Sequence, residues 1–321
     1  MSRFLYVLIV VLTTQQASAD CVAGTTVGPC LCMEDANGGR ALQCSDVADG
    51  ADITAALQEI NVATVTSLDI RNSPNLVSLP DNAFGTTAVL HLRFYNTGLQ
   101  SLSASTFGEE TGAALITLYI KYCSSFTVLD SAMFASLPSL TELYVSATGV
   151  SALTDPLPAT TLQYIDFNRN SITQISDNFF GSASSLTVVL LAFNDLTSDA
   201  LANTTQSFAA PGQDLYLDLG YNTISSGLMG LAFPDAAPRE LILSGNGITK
   251  LTEESFSSLV DAMAAQYPST EPYILLDNNP LECGCEVAWV TTHPNRAVIK
   301  NAMCDNGQLL DNLGPADFAD C

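Results

Sequence analysis

Residues 162–180, LQYIDFNRNSITQISDNFF, are the stretch on which the reading of this chain turns. Leu162, Ile165, Phe167, Asn170, Ile172, Ile175 and Phe180 fall at the offsets L-x-x-L-x-L-x-x-N-x-L-x-x-L-x-x-x-x-F. Ile165 and Phe167 alternate with polar neighbours, which predicts a short strand with one buried face, because side chains along a strand switch sides at every residue. Asn170 marks the strand's end. A unit this short cannot bury its apolar residues alone, so stability has to come from stacking one copy on the next.

Nine copies align on the Asn170 position, which is filled in order by Ser73, Thr97, Cys123, Thr148, Asn170, Asn194, Asn222, Asn246 and Asn279. The first four depart from asparagine, yet each is small and able to form at least a weak hydrogen bond. This pattern resembles the leucine-rich repeat. The resemblance implies an α/β solenoid: a curved horseshoe with a parallel β-sheet on its concave face, loops and short helices on its convex face, and disulfide caps at both ends. It also implies that the ladder amide turns inward to satisfy main-chain groups that stacking would otherwise bury unpaired. Phe84, Phe107, Phe134, Phe180 and Phe256 recur at the ends of their repeats and read as a buried spine. Cys123, on the inward ladder, reads as an inert buried thiol. Two repeats are stretched, the sixth by residues 197–214 and the eighth by 255–266, SFSSLVDAMAAQ, which reads as a short amphipathic helix.

The ends are of a different kind. Residues 1–19 carry Arg3, an apolar run over 4–12 and Ala17-Ser18-Ala19, the layout of a secretory signal peptide. The run is too short to span a bilayer, which takes about 20 residues, and no glycolipid-anchor signal precedes Cys321, so the expected mature chain is secreted and free of a membrane span. Nine cysteines in such a chain imply disulfides with one thiol left over. Cys21, Cys30, Cys32 and Cys44 crowd one end of the mature chain, and Cys283, Cys285, Cys304 and Cys321 crowd the other. Both clusters resemble the cysteine-rich caps of extracellular leucine-rich repeat proteins, the second through Asn279, Pro280, Leu281, Cys283, Cys285 and Trp289 of an N-P-L-x-C-x-C-x-x-x-W signature. By that resemblance Cys21 pairs with Cys32, Cys30 with Cys44, Cys283 with Cys304 and Cys285 with Cys321. The expected organisation is a signal peptide over 1–19, an N-terminal cap over 20–50, the repeat array over 51–278 and a C-terminal cap over 279–321. Asn203-Thr204-Thr205 is a glycosylation sequon in the sixth repeat.

Stacked strands place the residues flanking each apolar pair on one continuous concave face. Eight of the ten tyrosines occupy those positions: Tyr95, Tyr119, Tyr122, Tyr144, Tyr164, Tyr216, Tyr221 and Tyr273. Arg71, Arg93, Lys121 and Arg169 join them in the first five repeats, with His91 and Asp166, and the sixth repeat adds an apolar patch at Leu190 and Phe193. Tyrosine and arginine are the usual anchors of protein interfaces, so this set is the expected ligand surface. The net charge of -23 argues against nucleic acid as a partner.

Catalysis has poor material here. There are two histidines, neither in a metal-binding spacing, and there is no phosphate-cradling glycine loop and no G-x-S-x-G. The expectation is a non-catalytic module, without cofactor or metal, that recognises an extracellular protein or glycan. A self-associating matrix protein is the alternative.

Overall fold

The computed structural model describes residues 21–158, 160–202, 214–225, 233 and 237–321. The signal-peptide region and the sequon at Asn203 lie outside these residues. Among those described, one sheet of 13 strands runs the length of the molecule. Nine strands come from the repeats: Thr64–Ser73, Ala88–Thr97, Thr117–Lys121, Glu142–Ser146, Tyr164–Asp166, Val188–Leu190, Tyr216–Asp218, Glu240–Ile242 and Tyr273–Leu275. Each is parallel to the next, and Leu68, Leu92, Leu118, Leu143, Ile165, Val189, Leu217, Leu241 and Ile274 pair in one row. All nine are fully buried. The fold is therefore a curved leucine-lined solenoid with its parallel sheet on the concave side. The convex side carries short helices, among them Glu253–Gln266, which begins two residues before the run read from sequence and buries Phe256, Leu259, Val260 and Met263.

The ladder explains how coils stack without orphaned backbone groups. Asn194 donates from Nδ2 to the carbonyls of Phe167 (2.9 Å) and Leu191 (3.0 Å) and accepts at Oδ1 from the Ile172 amide (3.0 Å). One side chain thus ties together two successive coils. Asn170, Asn222, Asn246 and Asn279 repeat the scheme. Ser73 caps the amide of Val47 and donates to the Arg71 carbonyl instead. Cys123 is a free thiol, fully buried, with Sγ 3.2 Å from Thr97 Oγ1. Phe84, Phe107, Phe134, Phe180 and Phe256 are all buried, and the Phe84 and Phe107 rings stack.

One regularity escapes the repeat pattern. The residue before each ladder position has a left-handed backbone in all nine copies: Asn72, Asn96, Tyr122, Ala147, Arg169, Phe193, Tyr221, Gly245 and Asn278. Asparagine and glycine accept this conformation readily, whereas tyrosine, arginine and phenylalanine do so at a cost. The turn lifts those side chains to the rim of the concave face.

Disulfides close both ends. Cys21 is bonded to Cys32 and Cys30 to Cys44, and the hairpin of Cys30–Glu34 with Arg40–Ser45 lies against the first repeat strand. At the other end Cys283 is bonded to Cys304 and Cys285 to Cys321, while Ile299–Lys300 adds the last strand. Trp289 fastens this cap by donating from Nε1 to the Leu251 carbonyl at 2.8 Å.

Candidate functional site

Parallel pairing with an unshifted register lines the outward side chains up in rows across the sheet. One row reads Asp69, Arg93, Tyr119, Tyr144, Asp166, Leu190, Asp218, Ile242, Leu275. A parallel row reads Ser67, His91, Thr117, Glu142, Tyr164, Val188, Tyr216, Glu240, Tyr273. In a third, Tyr95 sits between Arg71 and Lys121. These residues face the hollow of the arc because the alternate residues of the same strands fill the core.

The early strands form a pocket of about 630 Å³ lined by Asp69, Arg71, His91, Arg93, Tyr95, Ile116, Thr117, Tyr119, Glu142 and Tyr144. Arg71 is ion-paired with Asp69. Lys121 reaches over the rings of Tyr119 (5.7 Å) and Tyr122 (5.8 Å). Thr117 Oγ1 lies 3.0 Å from His91 Nδ1 and 3.3 Å from Glu142 Oε2, and the Tyr144 hydroxyl donates to the same carboxylate oxygen. Burial, then the positive charge of Arg93, holds His91 below its ordinary pKa. Among the described residues, Arg93 makes no ion pair.

Three tyrosines continue the pocket along the sheet. Ring centroids lie 5.3 Å apart for Tyr119 and Tyr144 and 4.9 Å for Tyr144 and Tyr164. Burial and the nearby Asp166 carboxylate push the Tyr164 phenol up to about 12. At the rim, Arg169 stacks on Phe193 at 4.4 Å, and Phe193 stacks on Tyr221 with centroids 4.4 Å apart and planes within 4°. Both rings are exposed, which is uncommon for an aromatic pair not covered by a partner. Tyr273 lies at the far end, its hydroxyl 2.6 Å from Glu240.

The sixteen residues expected from sequence thus fall into an early pocket, a central tyrosine run, a rim stack and a late group in which Asp166, Leu190, Tyr216 and Tyr273 follow along the strands. Asp69, Thr117 and Glu142 were not picked as ligand residues, nor was Asp218. Their strand positions were legible, but polarity alone does not distinguish a network member from an ordinary solvent-facing residue.

No protein-family model matches the chain. It is 23% identical to lumican of Coturnix japonica over 61% of this chain and 52% of that one, so it spans about half the length of that relative. Keratocan and fibromodulin also match, and all three are extracellular matrix proteins. It is 24% identical, over 93% of this chain and 87% of the other, to the non-catalytic subunit of Oplophorus-luciferin 2-monooxygenase from Oplophorus gracilirostris. Among solved structures, one chain of the octameric complex of Latrophilin 3, Unc5D and FLRT2 (LRR) superposes with a TM-score of 0.56 at 20% identity, covering 85% of this chain and 88% of that one. The chain is a leucine-rich repeat protein. Disulfide caps at both ends complete the architecture. The leucine-rich repeat relatives that this chain matches are non-enzymatic. Its family supports a protein-interaction module, and among the described residues no helix is long and apolar enough to cross a membrane.

Proposed function

We propose that this leucine-rich repeat protein is a secreted recognition module that binds an extracellular protein on its tyrosine-rich concave face. The observation that carries the reading is the run of partly exposed rings at Tyr119, Tyr144 and Tyr164, in mutual contact and continuous with the pocket around Arg93. Such rings offer large contact area at small entropic cost, and their hydroxyls accept a wet rim. The full-length likeness to a non-catalytic subunit supports a chain that works by holding another protein.

The test is affinity capture from the extracellular fluid of the source organism, comparing native protein with a Tyr119→Ala/Tyr144→Ala/Tyr164→Ala variant of unchanged melting temperature. Partners lost from the variant support the reading, and an identical catch for both would remove it. A glycan array run beside the capture separates sugar from protein recognition. Likeness to matrix proteins favours one further reading, self-association. Light scattering across a concentration series decides between them, since a stable monomer or dimer is expected of a recognition module.

A further inference from the structure

The concave face is not evenly charged. Arg71, Arg93 and Lys121 lie on its first three strands, whose one outward carboxylate, Asp69, Arg71 neutralises, and Glu142 of the fourth strand borders the pocket around Arg93. Beyond them come Glu142, Asp166, Asp218 and Glu240, with the cations Arg169, occupied at the rim, and Arg239, which ion-pairs with Glu240. Asp166 and Asp218 flank Leu190 in register, one strand to either side. Each accepts a backbone hydrogen bond, from Asn168 and Gly220, but among the described residues neither has a cation within ion-pair distance. Burial raises both carboxyls above the ordinary aspartate value. The Lys121 charge and the Ser146 hydroxyl offset part of the burial at Asp166, while the Asp166 charge adds to it at Asp218. Partly buried anions without a cation in direct contact are thus costly in the free protein.

One row therefore presents, strand by strand, a cation (Arg93), two aromatic rings (Tyr119, Tyr144), a carboxylate (Asp166), an apolar residue (Leu190) and a second carboxylate (Asp218). We infer that this row seats an extended peptide segment of opposite polarity, laid across the strands. An acidic side chain of the segment meets Arg93, apolar side chains cover the two rings, and a lysine or arginine lays its alkyl stem on Leu190 with its charge between Asp166 and Asp218. Long cationic side chains combine an apolar stem with a charged head, which matches that surround. From the second strand to the sixth is four strand spacings, about 19 Å at roughly 4.8 Å each. An extended chain covers this in about six residues at roughly 3.3 Å per residue, so acid and base are separated by about that number. The inference rests on the recognition reading and names its ligand.

The probe is a displayed library of random twelve-residue peptides, panned against native protein and counter-selected on the triple tyrosine variant. The expected clones carry an acid and a base about six residues apart, bind at least tenfold more weakly to Asp166→Asn/Asp218→Asn and to Arg93→Gln, and fail when their acid and base are exchanged. Their binding weakens as pH falls from 7 into the carboxylate range, because the cation holds the ionised aspartates. Clones that need the tyrosines but ignore all three charge changes overturn the polarity and leave the recognition reading standing. Clones that bind the tyrosine variant equally well, or no enrichment at all, overturn the seat itself, and the capture experiment alone then judges the recognition reading.

Discussion

In the strands Thr64–Ser73 and Ala88–Thr97 the ladder residue is itself the last paired residue of a ten-residue strand, with Ser73 opposite Thr97. From Tyr164–Asp166 onward the strands shrink to three residues, and an asparagine amide takes over the bonds that main-chain pairing supplies earlier. Thr148 stands at the junction, donating its hydroxyl to Asn170 Oδ1 at 2.7 Å while its amide does the same at 2.8 Å. The difference teaches that the ladder has one physical task, leaving no buried carbonyl or amide unpaired, and two ways to do it. A long strand needs only a small residue that fits. A short strand needs a side chain with both a donor and an acceptor.

The sharpest way to break this comparison is to remove one ladder residue from each half. Asn194→Ala takes the side-chain acceptor from the buried Ile172 amide and one of two side-chain donors from each of the Phe167 and Leu191 carbonyls, and is expected to cost about 3 kcal/mol in urea unfolding. Thr97→Ala, which loses a weak contact to Leu99 and one to Cys123, is expected to cost about 1 kcal/mol. Equal losses would mean that strand length does not substitute for the amide.

A second difference sits one residue on. A Cβ at Gly98 would lie 2.1 Å from the Pro74 carbonyl oxygen, and one at Gly149 2.5 Å from that of Ser124, whereas one at Gly247 has 3.6 Å. The early coils approach each other more tightly there. Gly98→Ala should therefore destabilise by about 2 kcal/mol through overpacking, while Gly247→Ala should change stability by less than about 1 kcal/mol. Thermal unfolding of the pair checks both signs.

The fold was legible because its signals are local and repeated. The spacing of Leu162, Ile165, Phe167 and Asn170 set a register that the sheet pairs without a slip from Leu68 to Ile274. Strand length was not legible, since it depends on whether the neighbouring coil offers a main-chain or a side-chain partner. Nor was the left-handed turn at Tyr122, Arg169, Phe193 and Tyr221, because none of these residues prefers it. Asn72, Asn96, Gly245 and Asn278 do prefer it, but four of nine copies do not make a pattern. On the face itself, the positions of Arg71 and Arg93 could be read from the repeat, but not that Arg71 is neutralised by Asp69 while Arg93 has no ion pair among the described residues.

Two smaller effects sharpen the contrast. Cys123, where the early ladder uses a thiol, should stay unmodified by a thiol reagent in native protein and take up one equivalent once unfolded without reduction. Rapid labelling of the native form would show that the early coils open locally. For the late half, Asp166 and Asp218 have folded pKa values raised by burial. Their contribution favours the folded state below the unfolded value of about 3.9 and is lost as pH rises through the raised folded values. Asp166→Asn and Asp218→Asn should thus slightly raise the melting temperature at pH 7, with the advantage fading toward pH 4. A constant difference across that range would assign the gain to something other than charge.

The N-terminal hairpin has one more consequence. Its strand Arg40–Ser45 covers one flank of the strand Thr64–Ser73, pairing with the five residues from Ser67 to Arg71. Reduction of Cys21–Cys32 and Cys30–Cys44 loosens that cover and offers the bare flank to the next molecule, the geometry from which chains add end on end. In a reducing medium the arc should then begin to polymerise, lengthening into fibrils from its first coil.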